Sequence, residues 1–222
     1  MKIFLDSARL DEVKQAVDWG IIDGVTTNPS HVKTAGGNPS DIYPEICRLV
    51  SGPVSIETIA TDTEGIVREG RALAEISDNV IVKVPVIKEG IKAIRILSSE
   101  GISTNATINF TPLQALLAAK AGATYISPFI GRLDSAGQKG IELVDQIRKI
   151  FDNYGFETQL LTAAIRHPEH VLQSALIGAD ACTMGFPILS GLYDHHLTDL
   201  VLQQFLGDWE NVPKWIGGPY GD

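Results

Sequence analysis

Short continuous runs of apolar residues alternate along the chain with longer segments whose apolar residues follow a helical period. The clearest run is 80–86, where six of seven residues are apolar and Lys83 lies in the middle. A run of this kind is typical of a parallel strand buried on both faces. After the first apolar run of the chain, at residues 2–5, Leu10, Val13 and Val17 fall on one helical face. This spacing predicts a helix. The pattern therefore indicates repeated strand–helix units.

The alternation continues through eight units and predicts an α/β fold. Helices are predicted between the strands, whereas Asn28-Pro29 predicts a turn that leads into a loop. The sequence has no Gly-rich dinucleotide-binding motif, and its composition does not change along the chain. These features favour a (β/α)8 TIM barrel over a doubly wound sheet. The predicted strands are 2–5, 24–30, 54–58, 80–86, 103–109, 125–129, 159–163 and 181–184.

The barrel is predicted to form a single domain over residues 1–206, because barrels of this kind commonly reach such a length as one unit. Residues 207–222 are predicted to be a C-terminal helical or tail extension. It carries Trp209, Trp215 and Ile216. Large apolar residues in a terminal segment usually dock on another surface. That surface is either the same barrel or a neighbouring subunit.

Charge and cysteine content narrow the class of protein. The net charge of −9 at pH 7 argues against nucleic acid and against an anionic membrane as partners, because both require a basic surface. Cys47 and Cys182 lack metal-binding spacing and suit a reducing compartment. No apolar run approaches the roughly 20 residues of a membrane-spanning helix, and no apolar leader follows Met1. We therefore expect a cytoplasmic protein.

Lys83 is the most informative polar residue, because its strand is predicted to be buried. Burial penalises the charged ammonium form, so a buried lysine favours the neutral amine that attacks a carbonyl and forms a Schiff base. The alternative is a lysine whose stem packs while its ammonium group reaches water at the strand end. The strand alone does not separate these two interpretations.

Polar residues also close most of the other strands, and the C-terminal strand ends of a barrel carry its active site. Singly, each has an ordinary structural role as a cap, a turn former or a buried amide. Together with Lys83 they predict a Schiff-base aldol site with carboxylates for proton transfer. Two arginines near strand ends could bind a phosphate through bidentate hydrogen bonds. The candidates are Asp6, Thr27, Asn28, Glu57, Asn105, Thr107, Ser127, Arg132 and Arg166.

These motifs give the chain a resemblance to the transaldolase family, in its short single-barrel branch that also includes fructose-6-phosphate aldolase. The resemblance covers essentially the whole chain. The Thr-Thr-Asn-Pro-Ser and Val-Lys-Val-Pro motifs, in this order, are highly specific. The matching segments are 4–6 (FLD), 24–30 (GVTTNPS), 82–85 (VKVP) and 127–132 (SPFIGR).

The resemblance implies a role for each candidate. Lys83 would form the Schiff base, and Asp6 would exchange the substrate hydroxyl proton as the carbon–carbon bond breaks. Water for imine formation and hydrolysis would be held and activated by Glu57 and Thr107. The dihydroxyacetone portion would be bound by Asn28, Asn105 and Ser127, with Thr27 and Phe129 also lining the site. The phosphate would be bound by Arg132 and Arg166.

Three positions refine what the resemblance implies. Ala164 lies where a serine is common, two residues before Arg166, which removes one hydroxyl from the expected phosphate site. Aldolase members carry glutamine in place of Glu57 and tyrosine in place of Phe129, so this chain matches the transaldolase pattern at both. The implied activity moves a dihydroxyacetone unit from sedoheptulose 7-phosphate or fructose 6-phosphate to glyceraldehyde 3-phosphate or erythrose 4-phosphate. Release of free dihydroxyacetone is the alternative.

Other classes of function have weaker support. A non-catalytic phosphosugar-binding barrel would keep the arginines, but intact Lys83, Asp6 and Glu57 argue against it. No metal is expected, because His167 and His170 lie at a helix start and the His195-His196 pair lacks a carboxylate cluster. The resemblance implies no cofactor. It also implies a homo-oligomer, with a decamer favoured over a dimer.

Overall fold

The strands form one closed parallel barrel. The computed structural model describes residues 1–213 and 218–219. Each strand in this part of the chain pairs with the next in sequence, and the last pairs with the first. The predicted (β/α)8 barrel is therefore confirmed. The strands are β1 (Lys2–Asp6), β2 (Gly24–Thr26), β3 (Val54–Glu57), β4 (Val80–Pro85), β5 (Thr104–Asn109), β6 (Tyr125–Pro128), β7 (Gln159–Thr162) and β8 (Ala181–Met184).

Helices separate the strands in sequence. The last two, α10 and α11, follow the final strand. The helices among the described residues are α1 (Leu10–Asp18), α2 (Pro29–Ala35), α3 (Pro39–Leu49), α4 (Thr63–Ala74), α5 (Lys88–Ser99), α6 (Pro112–Lys120), α7 (Ile130–Ser135), α8 (Gly140–Tyr154), α9 (Pro168–Ile177), α10 (Phe186–Gly191) and α11 (His196–Glu210).

The short helix α2 replaces the loop that the sequence pattern predicts. The Asn28 side chain accepts a hydrogen bond from the His31 backbone N–H at 3.0 Å. Pro29 occupies the first helical position, where its fixed φ angle suits a helix and its missing N–H costs nothing. Asn-Pro is therefore a helix start here rather than a turn. Because this segment is helical, His31 lies at the mouth of the barrel.

Two hydrophobic layers enclose the strands, as the alternation along β4 shows. Val80, Val82 and Val84 belong to the large core between strands and helices. Ile81 belongs instead to a smaller cluster with Phe4, Tyr125, Leu161, Ala163 and Ala181. Successive residues of a strand point to opposite faces, so this smaller cluster fills the barrel interior. Lys83 shares a face with Ile81 and therefore also points inward.

The chain divides into two compact units, Met1–Leu189 and Ser190–Asp222. The predicted boundary between residues 206 and 207 falls inside α11, in the second unit. Trp209 is 50% exposed, and seven further apolar side chains of α11 and the residues just after it are also exposed. They are Leu197, Leu200, Val201, Leu202, Phe205, Leu206 and Val212. Trp215 and Ile216 lie outside the described residues. No described helix is long and apolar enough to span a membrane.

Candidate active site

A cavity of about 590 Å³ opens at the C-terminal ends of the strands. It lies where barrel enzymes bind substrate, because the strand ends and the loops that follow them surround it. Eight of the predicted site residues line it, although they come from widely separated parts of the sequence. They are Asp6, Asn28, Glu57, Lys83, Ser127, Phe129, Arg132 and Arg166.

Lys83 lies at the floor of the cavity with its side chain only 5% exposed. Its Nζ lies 3.1 Å from Oε2 of Glu57 and donates a hydrogen bond to the Thr27 carbonyl oxygen at 2.9 Å. Glu57 and Lys83 are register partners on β3 and β4, so the sheet itself sets this pair. The alternative of a lysine that reaches water is excluded. The amine instead faces a carboxylate that can accept its proton.

A second polar layer supports the lysine from the neighbouring strands. Asn105 is the register partner of Lys83 on β5. Its amide donates to Ser55 Oγ at 3.2 Å, and its carbonyl oxygen accepts from Ser127 Oγ at 2.7 Å. Asn105 does not line the cavity, and Ser127 does. The asparagine therefore orients the serine hydroxyl, which in turn faces the cavity.

Thr27 and Thr107 also lie behind the cavity lining. The Thr27 hydroxyl donates to the Ser55 carbonyl oxygen at 2.8 Å, which turns its side chain away from the cavity. Thr107 is fully buried, and its hydroxyl has no hydrogen-bond partner among the described residues. It shares a face with Asn105 because the two are two residues apart on one strand. The Thr107 hydroxyl therefore points into the barrel, and neither threonine is part of the cavity lining.

Asp6 lines the cavity from the end of β1, three strands away from β4 around the barrel. Its Oδ1 accepts a hydrogen bond from Thr26 Oγ1 at 2.7 Å. Thr26 Oγ1 also lies 2.6 Å from Thr183 Oγ1. Nδ1 of His31 lies 3.4 Å from the same Asp6 oxygen. The carboxylate is thus oriented by a hydroxyl on one side and approached by an imidazole on the other.

Arg132 and Arg166 face the cavity from α7 and from the segment after β7. Neither guanidinium has an acidic partner within 4.0 Å among the described residues. The two segments approach each other closely at Gly131, where there is no room for a side chain. A Cβ on Gly131 would lie 2.2 Å from the Ala164 carbonyl oxygen and 2.6 Å from Arg166 Cγ. Ala164 itself has a left-handed φ of 57°, which is uncommon outside glycine. Two cations without internal partners form a site for an anion.

Comparison with known proteins agrees with this geometry. Residues 3–214 match the family model described as "Transaldolase/Fructose-6-phosphate aldolase". The chain belongs to the transaldolase/fructose-6-phosphate aldolase family. The family membership expected from the sequence is confirmed.

Full-length relatives support the same assignment. A protein of Aquifex aeolicus (strain VF5) named "Probable transaldolase" is 55% identical over 214 residues, which cover 96% of this chain and 99% of the relative. A protein of the same name from Hydrogenobaculum sp. (strain Y04AAS1) is 56% identical over 214 residues, with the same coverage. The solved structure of inosine 5′-monophosphate dehydrogenase from Legionella pneumophila is similar in fold alone. It has a TM-score of 0.58 at 14% identity and covers 85% of this chain and 58% of that one.

In this transaldolase-family barrel, a buried histidine in contact with Asp134 supports the arginine segment from behind. Nδ1 of His170 accepts a hydrogen bond from the Arg166 backbone N–H at 3.3 Å, and Nε2 lies 2.9 Å from Oδ2 of Asp134. Asp134 also accepts from the Gly140 backbone N–H. Burial lowers the pKa of His170, and neighbouring His167 lowers it further, whereas Asp134 opposes the shift. The neutral tautomer with a proton on Nε2 satisfies both contacts.

Several residues of the transaldolase-family site are absent from the sequence-based candidates. Thr26, His31 and Thr183 are polar and line the cavity. Thr26 and Thr183 were not among the candidates because each lies inside its predicted strand, 24–30 or 181–184, rather than at the end of that strand. His31 was hidden because its helix was predicted as a loop. The signal available for His31 was its place next to Thr-Thr-Asn-Pro-Ser, a segment already expected to face the substrate.

The two cysteines are not part of the site. Both are free and buried. Burial raises the pKa of the Cys47 thiol to about 11 and that of the Cys182 thiol to about 12. A thiol attacks as its thiolate, so neither side chain competes with Lys83 as a nucleophile at neutral pH.

Proposed function

We propose that this enzyme is a transaldolase that moves a dihydroxyacetone unit from a ketose phosphate to an aldose phosphate through a Schiff base on Lys83. One observation carries the proposal. The same cavity holds a buried lysine paired with Glu57 at its floor and, at its wall, two arginines that have no acidic partner among the described residues. A carbonyl nucleophile at one end and an anion site at the other fit a phosphorylated sugar.

Schiff-base formation uses the Lys83–Glu57 pair. The ammonium group transfers a proton to the Glu57 carboxylate, and the neutral amine attacks the ketose carbonyl carbon. Glu57 then returns the proton to the departing hydroxyl, which leaves as water, and a protonated imine forms. The contact of 3.1 Å between Nζ and Oε2 provides a direct path for the first transfer. The buried Thr107 hydroxyl is a candidate partner for the water.

Cleavage of the carbon–carbon bond requires a base for the substrate hydroxyl. Asp6 accepts that proton, the bond between the third and fourth carbons breaks, and its electron pair passes to the imine nitrogen to give an enamine. The aldose phosphate leaves, and an acceptor aldehyde takes its place. The reverse sequence forms the new ketose phosphate. Asn28 and Ser127, both lining the cavity, would bind the hydroxyls of the retained three-carbon unit.

The lining near the enamine favours transfer over release of dihydroxyacetone. Phe129 lines the cavity, and its ring packs edge-on against Phe110 with centroids 6.1 Å apart. A phenylalanine has no proton to give to the enamine carbon. Glu57 is engaged by Lys83. We therefore favour the transaldolase reaction over that of an aldolase.

A transfer assay tests the proposal. Fructose 6-phosphate is supplied with or without erythrose 4-phosphate, and sedoheptulose 7-phosphate, glyceraldehyde 3-phosphate and dihydroxyacetone are measured side by side. We expect rapid product formation only when the acceptor is present. Rapid dihydroxyacetone release without acceptor would favour the aldolase, and binding without either reaction would favour the non-catalytic barrel.

We also propose that the enzyme works in the cytoplasm as a homo-oligomer, with a decamer favoured by the family resemblance. The two free cysteines suit a reducing compartment. The exposed apolar side chains of α11, which include Leu200 and Phe205, form a surface of the kind that subunit contacts cover. Light scattering at micromolar concentration should give a mass several times that of one chain. A monomer would contradict this proposal.

A further inference from the structure

His31 lies beside Asp6 at the edge of the cavity, and the transfer mechanism gives it no role. It is on α2, its side chain is 29% exposed, and its Nδ1 lies 3.4 Å from Asp6 Oδ1. The backbone N–H of His31 donates to the Asn28 side chain, which fixes the start of the helix and therefore the position of the His31 backbone beside Asp6. The imidazole is thus held against the carboxylate that exchanges the substrate proton.

The geometry of the contact between His31 and Asp6 allows the two groups to share one proton. Nδ1 of His31 is buried and has no hydrogen-bond partner among the described residues. The distance of 3.4 Å is within ion-pair range but longer than a well-formed N–H···O bond. Without a proton, a nitrogen lone pair would face a carboxylate oxygen, which is unfavourable. A single proton on either group turns this repulsion into attraction.

The other charged groups facing the cavity cannot take this part. They are Glu57 on β3, Lys83 on β4, Arg132 on α7 and Arg166 after β7. Glu57 and Lys83 are paired with each other. Arginine does not give up its proton in proteins. Among the described residues that line the cavity, His31 is therefore the neighbour of Asp6 whose type exchanges protons near neutral pH.

We propose that His31 acts through Asp6 as a proton relay during transfer, an inference that rests on the proposed transaldolase function. When the carbon–carbon bond breaks, the hydroxyl proton moves to Asp6 and then to Nδ1 of His31, leaving a carboxylate and an imidazolium. When the acceptor aldehyde binds, the enamine carbon attacks its carbonyl carbon. The proton returns through Asp6 to the aldehyde oxygen, which becomes the new hydroxyl. No proton is gained or lost over the cycle.

Storage of the proton on nitrogen also protects the intermediate. While Asp6 is a carboxylic acid, its proton is available to the nucleophilic carbon of the enamine, and protonation there would end in free dihydroxyacetone. Transfer to His31 removes that acid from the floor of the cavity. His31 therefore raises the ratio of transfer to release, in addition to the rate of transfer.

The variant His31→Asn tests the relay, because asparagine keeps a polar group near the position of Nδ1 but takes up no proton. We expect transfer to fall about tenfold and the ratio of release to transfer to rise several-fold. An imidazolium cannot accept the proton from Asp6, so in the wild type transfer should decline on the acid side of its pH profile. That decline should disappear in the variant. His196→Asn, a change at an exposed histidine outside the cavity lining, should keep the wild-type profile.

His31→Gln serves as a second variant if the first does not fold. Either variant, folded by circular dichroism, overturns the relay if it keeps both the wild-type pH profile and the wild-type ratio of release to transfer. A purely packing role would lower both reactions together and leave these two readouts unchanged. Borohydride trapping with fructose 6-phosphate separates the two levels of the proposal. A wild type without a Lys83 adduct refutes the Schiff-base function itself, whereas adducts in wild type and variant with unchanged readouts refute only the relay.

Discussion

The floor and the wall of the cavity differ in whether their charged side chains are paired with other side chains. At the floor, Lys83 is paired with Glu57 and hydrogen-bonded to the Thr27 carbonyl oxygen. At the wall, Arg132 and Arg166 face the cavity and have no acidic partner within 4.0 Å among the described residues. The protein satisfies the charges of the floor itself. It leaves the charges of the wall for a ligand.

This difference suggests that the floor serves the chemical reaction and that the wall serves the binding of substrate. A buried pair such as Lys83–Glu57 costs desolvation energy, and removal of one partner leaves an uncompensated charge. In the proposed mechanism this pair exchanges a proton, which would account for the cost. Arginines kept without partners carry the cost of mutual repulsion until an anion binds. Floor variants should therefore affect the rate of the reaction, and wall variants should affect the binding of phosphorylated sugars.

Loss of the floor nucleophile should have the largest effect. Lys83→Met keeps the length of the side chain but removes the amine. We expect transfer activity to fall by at least about 10³-fold, because no covalent intermediate can form. Lys149→Met, at an exposed lysine that pairs with Asp145 on the barrel surface, serves as the control and should retain full activity. A Lys83→Met enzyme with substantial transfer activity would contradict the assignment of the floor.

A proton donor added at Phe129 should change whether the enamine reacts with an acceptor aldehyde or is protonated. Phe129→Tyr introduces a hydroxyl, and general acid assistance is typically worth about 10²–10⁴-fold. Dihydroxyacetone release should therefore rise while transfer falls. Both reactions are measured with and without an acceptor aldehyde. If the substitution changes both rates in parallel, Phe129 only packs the mouth of the barrel.

Removal of a wall cation should weaken binding more than chemistry. Arg166→Ala loses a charge-assisted contact worth roughly 1.5–3 kcal/mol, so KM for phosphorylated sugars should rise about 10- to 150-fold. Reactions of unphosphorylated dihydroxyacetone should change little. Arg68→Ala, at an exposed arginine away from the cavity lining, is the matched control. An equal loss with both kinds of substrate would remove Arg166 from the phosphate site.

The support behind the wall should give a smaller effect that depends on pH. Burial lowers the pKa of His170 in the folded protein, so the unfolded chain binds this proton more readily. The free energy of unfolding should therefore decrease as pH falls below about 6.5, by at most about 1.4 kcal/mol per pH unit from this group. Urea unfolding at several pH values measures the slope. His170→Asn, which keeps an acceptor for the Arg166 N–H, should have a shallower slope.

An unchanged slope in His170→Asn would show that other groups account for the acid sensitivity. The variant also tests the link to the wall. If the Arg166 backbone contact positions the guanidinium, KM for phosphorylated sugars should rise less in His170→Asn than in His170→Ala, because alanine leaves the N–H without a partner.

The sequence is sufficient to predict the barrel and the floor for a physical reason. A parallel strand buried on both faces needs a continuous apolar run, so β4 is visible in the sequence and Lys83 is conspicuous within it. The order of the strands around the barrel then makes β3, β4 and β5 neighbours. Glu57, Lys83 and Asn105 close or interrupt three successive strands and lie side by side in the structure.

The remaining contacts depend on geometry that no local pattern encodes. Asn28-Pro29 has the same composition in a turn and at a helix start, so α2 and the approach of His31 to Asp6 were not predictable from the sequence. Asn105 was expected to bind substrate and Thr107 to hold a water, and neither lines the cavity, because the depth of a side chain in a barrel depends on strand tilt and stagger. The support of Arg166 by His170 depends on the close approach of two segments at Gly131.

Covalent trapping on Lys83 is the most direct test of the floor as a Schiff-base site. The protein is incubated with fructose 6-phosphate, reduced with borohydride, digested and analysed by peptide mass spectrometry. We predict one modified peptide, with the reduced three-carbon unit on Lys83, and no adduct in Lys83→Met. Absence of an adduct from the wild type, or its appearance on another lysine, would contradict the role assigned to Lys83 and Glu57.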